Sequence, residues 1–164
     1  MIRIRKATLD DVKEMVEIEK TIFLHSDAFT EEDIKKVLDT SNYSHVAVNE
    51  TGIIVGDILA RVVDYSDYNQ VKEILGNSQI FTITGLGVIT EVRRQRIATQ
   101  LMQQVMSDAV KNKIKRIILF CRKSNIGAIE LYKKLGFQIS VPNIQGIYED
   151  PDEDALLMEL CVLF

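Results

Sequence analysis

The chain has 164 residues, 46% hydrophobic and 27% charged, which suits one ordinary globular domain over 1–164 and excludes intrinsic disorder, a collagen-like repeat and a coiled-coil rod. Twenty Lys and Arg against 24 Asp and Glu leave a net charge of −4, which argues against bulk affinity for nucleic acid or an anionic membrane. No apolar run approaches the ~20 residues that span a bilayer, and Met1-Ile2-Arg3-Ile4-Arg5-Lys6 contains no signal-peptide core, so a cytoplasmic protein is expected.

Ile2 and Ile4 alternate with Arg3 and Arg5 as in a half-buried strand. Thr8-Leu9-Asp10-Asp11 then opens a helix with Val12, Met15, Val16, Ile18 and Ile22 at helical spacing. Thr30-Glu31-Glu32-Asp33 opens a second helix carrying Ile34, Val37 and Leu38, and the loop between them holds His25, Asp27 and Phe29. His45–Val48 and Ile53–Val63 flank the turn-rich Asn49-Glu50-Thr51-Gly52 and predict an antiparallel hairpin. Residues 64–79 form a polar, acidic excursion with a short apolar trace at Val71, Ile74 and Leu75.

Ile80–Ile89 is β-branched and strand-like, and Ile97, Leu101, Met102, Val105, Met106, Ala109 and Val110 mark a long amphipathic helix after it. Arg116–Cys121 reads as a strand, Asn125–Leu135 as a helix stopped by Gly136, Phe137–Val141 as a strand, and Ala155–Phe164 as a last strand. Hairpins mixed with crossovers predict an α/β fold of the mixed α+β kind, with a mixed central sheet of about seven strands and helices on both faces. Cys121 and Cys161 lie in apolar stretches and are expected to be buried core thiols. With His25 and His45 the only histidines, the sequence offers no metal ligand set.

Chemistry concentrates in Leu86-Gly87-Val88-Ile89-Thr90-Glu91-Val92-Arg93-Arg94-Gln95-Arg96-Ile97-Ala98-Thr99, where a strand enters a helix through an arginine-rich loop. A helix N-terminus leaves about four N–H groups unpaired and carries roughly half a positive charge, so it attracts phosphate oxygens, and the arginines add to that charge. One strand later, Asn125 is a natural N-cap, Leu131 and Leu135 share a helix face, and Tyr132 lies between them. Either stretch alone is compatible with plain architecture: a solvated loop, or a boundary tyrosine.

Together the two stretches resemble the GNAT superfamily of acyl-CoA-dependent N-acetyltransferases. Val88 and Arg93 to Ala98 occupy the frame of the superfamily's phosphate loop, V-x-P-x-x-R/Q-x-x-G-x-G/A. Asn125, Ala128, Leu131, Tyr132, Gly136 and Phe137 meet its downstream signature, N-x-x-A-x-x-L-Y-x-x-x-G-F. Two positions depart: Thr90 stands for Pro, and Arg96 for the first small residue, which lets backbone approach the pyrophosphate closely. The tail, with Tyr148, Asp150, Asp154, Ala155 and Met158, is similar to Y-Y-x-D-x-x-D-A-x-x-M of the protein N-terminal acetyltransferases of the RimI and ARD types. Ile147 replaces the first tyrosine there.

The resemblance implies acetyl-CoA as co-substrate and no metal. Leu86, Gly87 and Val88 would hold the acetyl group through their backbone, while Arg93, Arg94, Gln95, Arg96, Ile97, Ala98 and Thr99 would hold the pyrophosphate. Asn125 and Tyr132 complete the implied cofactor contacts, and Tyr132 would protonate the departing thiolate. Relatives place a base on two neighbouring strands, at positions occupied here by Thr82 and Phe120, neither of which accepts a proton usefully. An α-amine of pKa ~7.7–8.0 is already roughly a tenth neutral at pH 7, whereas a lysine at ~10.4 is not, so a site without a strong base suits an N-terminal acceptor. His25, whose intrinsic pKa suits a base, Phe29, Glu32 and Tyr148 are the acceptor-side candidates. The expected activity is acetylation of protein or peptide N-termini, with the ribosome or an auxiliary subunit as a further partner class. The alternatives are a small-molecule acetyltransferase acting on a polyamine or amino sugar, with residues 64–73 and the tail loop Glu149 to Asp154 attracting such cations, a lysine acetyltransferase, and a CoA-binding regulatory module without catalysis.

Overall fold

The computed structural model describes residues 1–23, 27–40, 42–63, 73 and 79–163. Its strands are β1 (Arg3–Lys6), β2 (His45–Val48), β3 (Ile54–Val63), β4 (Ile80–Val88), β5 (Arg116–Arg122), β6 (Gln138–Glu149) and β7 (Asp152–Cys161). Its helices are α1 (Val12–Ile22), α2 (Glu31–Thr40), α3 (Ile97–Lys111) and α4 (Ile126–Lys134). The strands form one seven-stranded sheet in the order β1-β2-β3-β4-β5-β7-β6. It is mixed: β4 and β5 pair parallel, whereas β1 with β2, β2 with β3, β5 with β7 and β6 with β7 pair antiparallel.

The chain packs as two compact units, residues 1–61 with 84–108 and residues 62–83 with 109–164. In the first, Arg5 donates to both carboxylate oxygens of Asp11 at 2.7 Å, and Asp11 also accepts from the Thr8 N–H at 2.8 Å. That ion pair fixes β1 to the 3-10 turn Leu9–Asp11 that leads into α1. At α2 the Thr30 hydroxyl accepts from the Asp33 N–H at 3.2 Å while the Asp33 carboxylate accepts from the Thr30 N–H at 2.9 Å, so two otherwise orphaned donors are satisfied reciprocally. The apolar faces of α1 and α2 meet β2 and β3 in a core of Val12, Met15, Ile34, Val46, Leu59 and their neighbours.

In the second unit Val63, Ile80, Ile118, Ile144, Ala155 and Leu157 form the core, with Phe120 and Tyr148 packed against it. Here the expected boundaries shift. β6 runs to Glu149, past the predicted end at Val141, and β7 starts at Asp152, before Ala155. Arg122 explains the difference: it donates to the carbonyls of Pro151 at 2.7 Å and Asp150 at 3.3 Å and lies 4.2 Å from the centre of the Tyr148 ring. A side chain from another strand therefore holds the hairpin tip where local composition reads as loop.

Cys121 is buried as expected, and burial pushes its thiol up to about 11. Cys161 is exposed, against expectation. It is the last residue of β7 and shares a strand face with Glu159, which pairs with Arg116 at 2.6 Å, so this face is polar although the local sequence is apolar. Among the described residues no helix is long and apolar enough to cross a membrane, and no three His, Cys, Asp or Glu side chains cluster as metal ligands would.

Candidate active site

β4 ends at Val88, and a 3-10 turn at Thr90–Val92 carries the chain towards α3 at Ile97. The turn is pinned by Arg93, whose Nε donates to the Val88 carbonyl at 3.0 Å. Arg94 and Arg96 adopt the left-handed conformation, with φ of 65° and 62°. For an ordinary L-residue that conformation costs roughly 1–2 kcal/mol. Arg96 thus keeps the backbone shape that glycine permits in the motif it departs from, and its carbonyl accepts from Gln100 as the first bond of α3. Arg93, Arg94, Gln95 and Arg96 are exposed, Ile97 is buried, and Ala98 and Thr99 are half-buried. The first N–H groups of α3 have no helical partner. Free donors under a turn of three exposed guanidiniums suit a pyrophosphate.

Within the same unit, Gly87 is buried and Leu86 and Val88 half-buried. Gly87 must lack a side chain: a Cβ there would lie 2.9 Å from Ile22 Cδ1 and 3.1 Å from Asp57 Oδ1. Two residues earlier the Phe29 ring packs on the strand, its Cε2 3.3 Å from where a Cβ on Gly85 would stand. Phe29 is half-buried and Glu32 is exposed in the first turn of α2. His25 lies outside the described residues, as does residues 64–73 except Glu73.

In the second unit Asn125 caps α4, its Oδ1 accepting from the Ala128 N–H at 3.2 Å. The helix closes with Gly136 at φ 96° and a bond from the Phe137 N–H to the Tyr132 carbonyl at 3.0 Å. Tyr132 is buried, its ring centre 6.0 Å from that of Phe137. Burial first, then Cys121 and Tyr148, raise the phenol well above its ordinary value, so it is a neutral donor at any working pH. Tyr148 is half-buried on β6 beneath the Arg122 guanidinium. Glu153 accepts from the Ser124 N–H at 2.5 Å and its hydroxyl at 2.9 Å, tying the start of β7 to the residue before the Asn125 cap. Thr82 is buried and Phe120 half-buried in the core, so neither supplies a base.

Two acidic residues escaped the sequence reading. Glu19 on α1 and Asp57 on β3 are 0% and 1% exposed, and burial raises both carboxyls, Glu19 to about 7. The signal was available: Glu19 falls on the apolar stripe with Met15 and Ile22, and Asp57 is the one acid inside the apolar Ile53–Val63 run.

The arginine-rich turn between β4 and α3, and the Asn125-capped helix with its buried Tyr132 after β5, carry the two stretches that resemble acyl-CoA-dependent transferases. The chain belongs to the GNAT acetyltransferase family, which it matches over residues 10–137, and it is an acetyl-CoA-dependent acetyltransferase. It is 31% identical over 161 residues to an N-alpha-acetyltransferase of Sulfurisphaera tokodaii, covering 95% of this chain and 90% of that protein. It is 32% identical over 120 residues to the N-terminal acetyltransferase B complex catalytic subunit NAA20 of Arabidopsis thaliana, covering 71% of this chain and 61% of that protein. The crystal structure of Arabidopsis thaliana NAA60 in complex with acetyl-CoA shares the fold, with a TM-score of 0.85 at 21% identity over 99% of this chain and 100% of that one.

Proposed function

We propose that this protein transfers the acetyl group of acetyl-CoA to the α-amine of protein or peptide N-termini by direct attack. The observation that carries the reading is the turn before α3: Arg96 holds the left-handed backbone of a phosphate loop while three guanidiniums remain exposed around it. The likeness over 95% of the chain to a protein named N-alpha-acetyltransferase supports the choice of acceptor. So does the chemistry of the strands, since Thr82 and Phe120 offer no base and an α-amine needs little help to be neutral.

Arg93, Arg94, Gln95 and Arg96, with the N–H groups of Ile97, Ala98 and Thr99, bind the pyrophosphate in this reading. Backbone N–H groups at Leu86 to Val88 hold the thioester carbonyl and stabilise the charge that develops on its oxygen. The amine forms the new N–C bond, the C–S bond breaks, and Tyr132 gives its proton to the leaving thiolate while the amine's proton passes to water. Asn125 fixes the start of the helix that carries Tyr132. Phe29, Glu32 and Tyr148 contact the acceptor peptide, and His25 is a candidate base. The cytoplasm is the expected site of action. An auxiliary subunit or the ribosome is a candidate partner, as the name of the NAA20 relative, a subunit of a complex, suggests.

The test pairs two peptides, one with a free α-amine and no lysine, the other blocked at its N-terminus with one internal lysine. Acetylation of the first alone supports the reading. Acetylation of the second alone, or of neither while spermidine is acetylated, overturns it.

A further inference from the structure

Glu153 belongs to an acidic run, residues 149–154, whose local sequence reads as a solvated turn. Its side chain is nonetheless only 21% exposed and has partners on β5 and in the turn before α4. Oε1 accepts the Ser124 N–H at 2.5 Å, while Oε2 accepts the Ser124 hydroxyl at 2.9 Å and faces Arg122 Nη1 at 3.4 Å. The Ser124 N–H above all, then the Ser124 hydroxyl and Arg122, hold the carboxyl below its ordinary value against desolvation. Each partner leads to a residue of the proposed site. Ser124 is followed by Asn125, whose Oδ1 takes the Ala128 N–H at 3.2 Å and starts α4, the helix that carries Tyr132. Arg122 lies 4.2 Å from the centre of the Tyr148 ring, and Tyr148 stands directly across the hairpin from Glu153. Opposed residues project from the same face of a sheet, which is why one guanidinium reaches both the Tyr148 ring and the Glu153 carboxylate. The other ties are looser: the Lys123 N–H donates to the Asp154 carbonyl at 3.4 Å, and the Lys123 ammonium, on its flexible stem, reaches Asn143 on β6.

We propose that Glu153 is a positioning residue that couples the acceptor side of the site to the catalytic helix: by bonding Ser124 and Arg122 together, its carboxylate seats Tyr148 and the start of the Tyr132 helix from one point. The proposal rests on the reading that Tyr148 contacts the acceptor and Tyr132 protonates the thiolate. Glu153 touches neither a substrate nor a reacting atom, and its effect is geometric. Misplacing a catalytic group by about 1 Å costs on the order of 100-fold in rate, so a slackened α4 start shows in kcat and a slackened Tyr148 in peptide KM.

The experiment measures kcat and peptide KM at saturating acetyl-CoA, with a lysine-free peptide bearing a free α-amine, in the native protein, Glu153→Ala, Glu153→Asp and Glu153→Gln. Hydrogen exchange at the Ala128 amide is followed by NMR in the same four proteins, with the buried Ile118 on β5 as reference. Glu153→Ala lowers kcat, raises peptide KM and speeds Ala128 exchange, each about tenfold, while Ile118 exchange stays within about twofold. Glu153→Asp keeps the charge but is one methylene too short to reach both Ser124 and Arg122, and it behaves like Glu153→Ala. Glu153→Gln loses the charge but keeps the length and an oxygen for the Ser124 N–H, and it returns all three quantities to within about threefold of the native values. Native kcat and KM in Glu153→Ala overturn the proposal, as does a change confined to one of the two, because the two sides would then not be coupled. Rescue by Asp with failure of Gln overturns it as well, since Glu153 would act as a charge and not as a support. If Glu153→Ala does not fold, the contrast between Glu153→Asp and Glu153→Gln decides. If no peptide is acetylated the N-terminal reading has failed, and Ala128 exchange across the variants still upholds or overturns the tie to α4.

Discussion

Replacing Glu19 by Gln removes a buried acid while keeping its shape and its acceptor for the Phe29 N–H. In the folded protein burial raises the Glu19 carboxyl from 4.5 to about 7, opposed only in part by that bond. A folded value above the unfolded one means the native state holds the proton longer, so stability is greatest below pH 4.5 and is lost as pH rises to about 7. The gap between the two values corresponds to about 3 kcal/mol in all, of which about 2.5 kcal/mol is lost between pH 5 and pH 8, because the unfolded acid is already largely ionised at pH 5. Burial first, and then the neighbouring Glu19, also raise the Asp57 carboxyl. Urea unfolding of the native protein and of Glu19→Gln at pH 5 and pH 8 isolates the term. The variant gains on the native protein by about 2.5 kcal/mol between the two pH values. A difference constant to within about 0.5 kcal/mol would refute the reasoning, since it would mean that Glu19 ionises in the folded protein as it does in water.

Tyr132→Phe removes the thiolate's proton donor and lowers kcat about 100-fold or more with acetyl-CoA Kd unchanged, as single-turnover kinetics and calorimetry would register. Arg96→Gly relieves a left-handed arginine and leaves Tm equal or higher, but weakens acetyl-CoA about fivefold at low salt and less at high salt, measured by titration at two ionic strengths. Arg122→Ala strips the bonds to Asp150, Pro151 and Glu153 and the stack on Tyr148; it costs about 2 kcal/mol in urea unfolding and raises peptide KM. Under native conditions a thiol reagent labels Cys161 and spares Cys121, which intact-mass spectrometry followed by peptide mapping resolves.

The elements that sequence alone located are those whose signals are local. The Thr30 and Asp33 cap, the Asn125 cap and the Gly136 stop each act within four residues, and each appears where the residue types demand. The second half of β6 was illegible because Pro142 and Gly146, with φ 73°, read as breakers. An edge strand tolerates both, and Arg122, from β5, holds its far end. Glu19 and Asp57 were missed for a related reason. An apolar pattern reads through one charged residue as noise, and only the meeting of α1, β3 and β4 turns two such exceptions into a pair. The motifs carried the site's chemistry, but the left-handed backbone that lets Arg96 stand for a glycine is a property of the folded turn.

The most direct test of the central claim uses one peptide carrying both a free α-amine and an internal lysine, incubated with acetyl-CoA and this protein and fragmented in a mass spectrometer to locate the added acetyl group. A single acetyl on the first residue's α-nitrogen is the expected result. Acetyl on the lysine with a free N-terminus would contradict it.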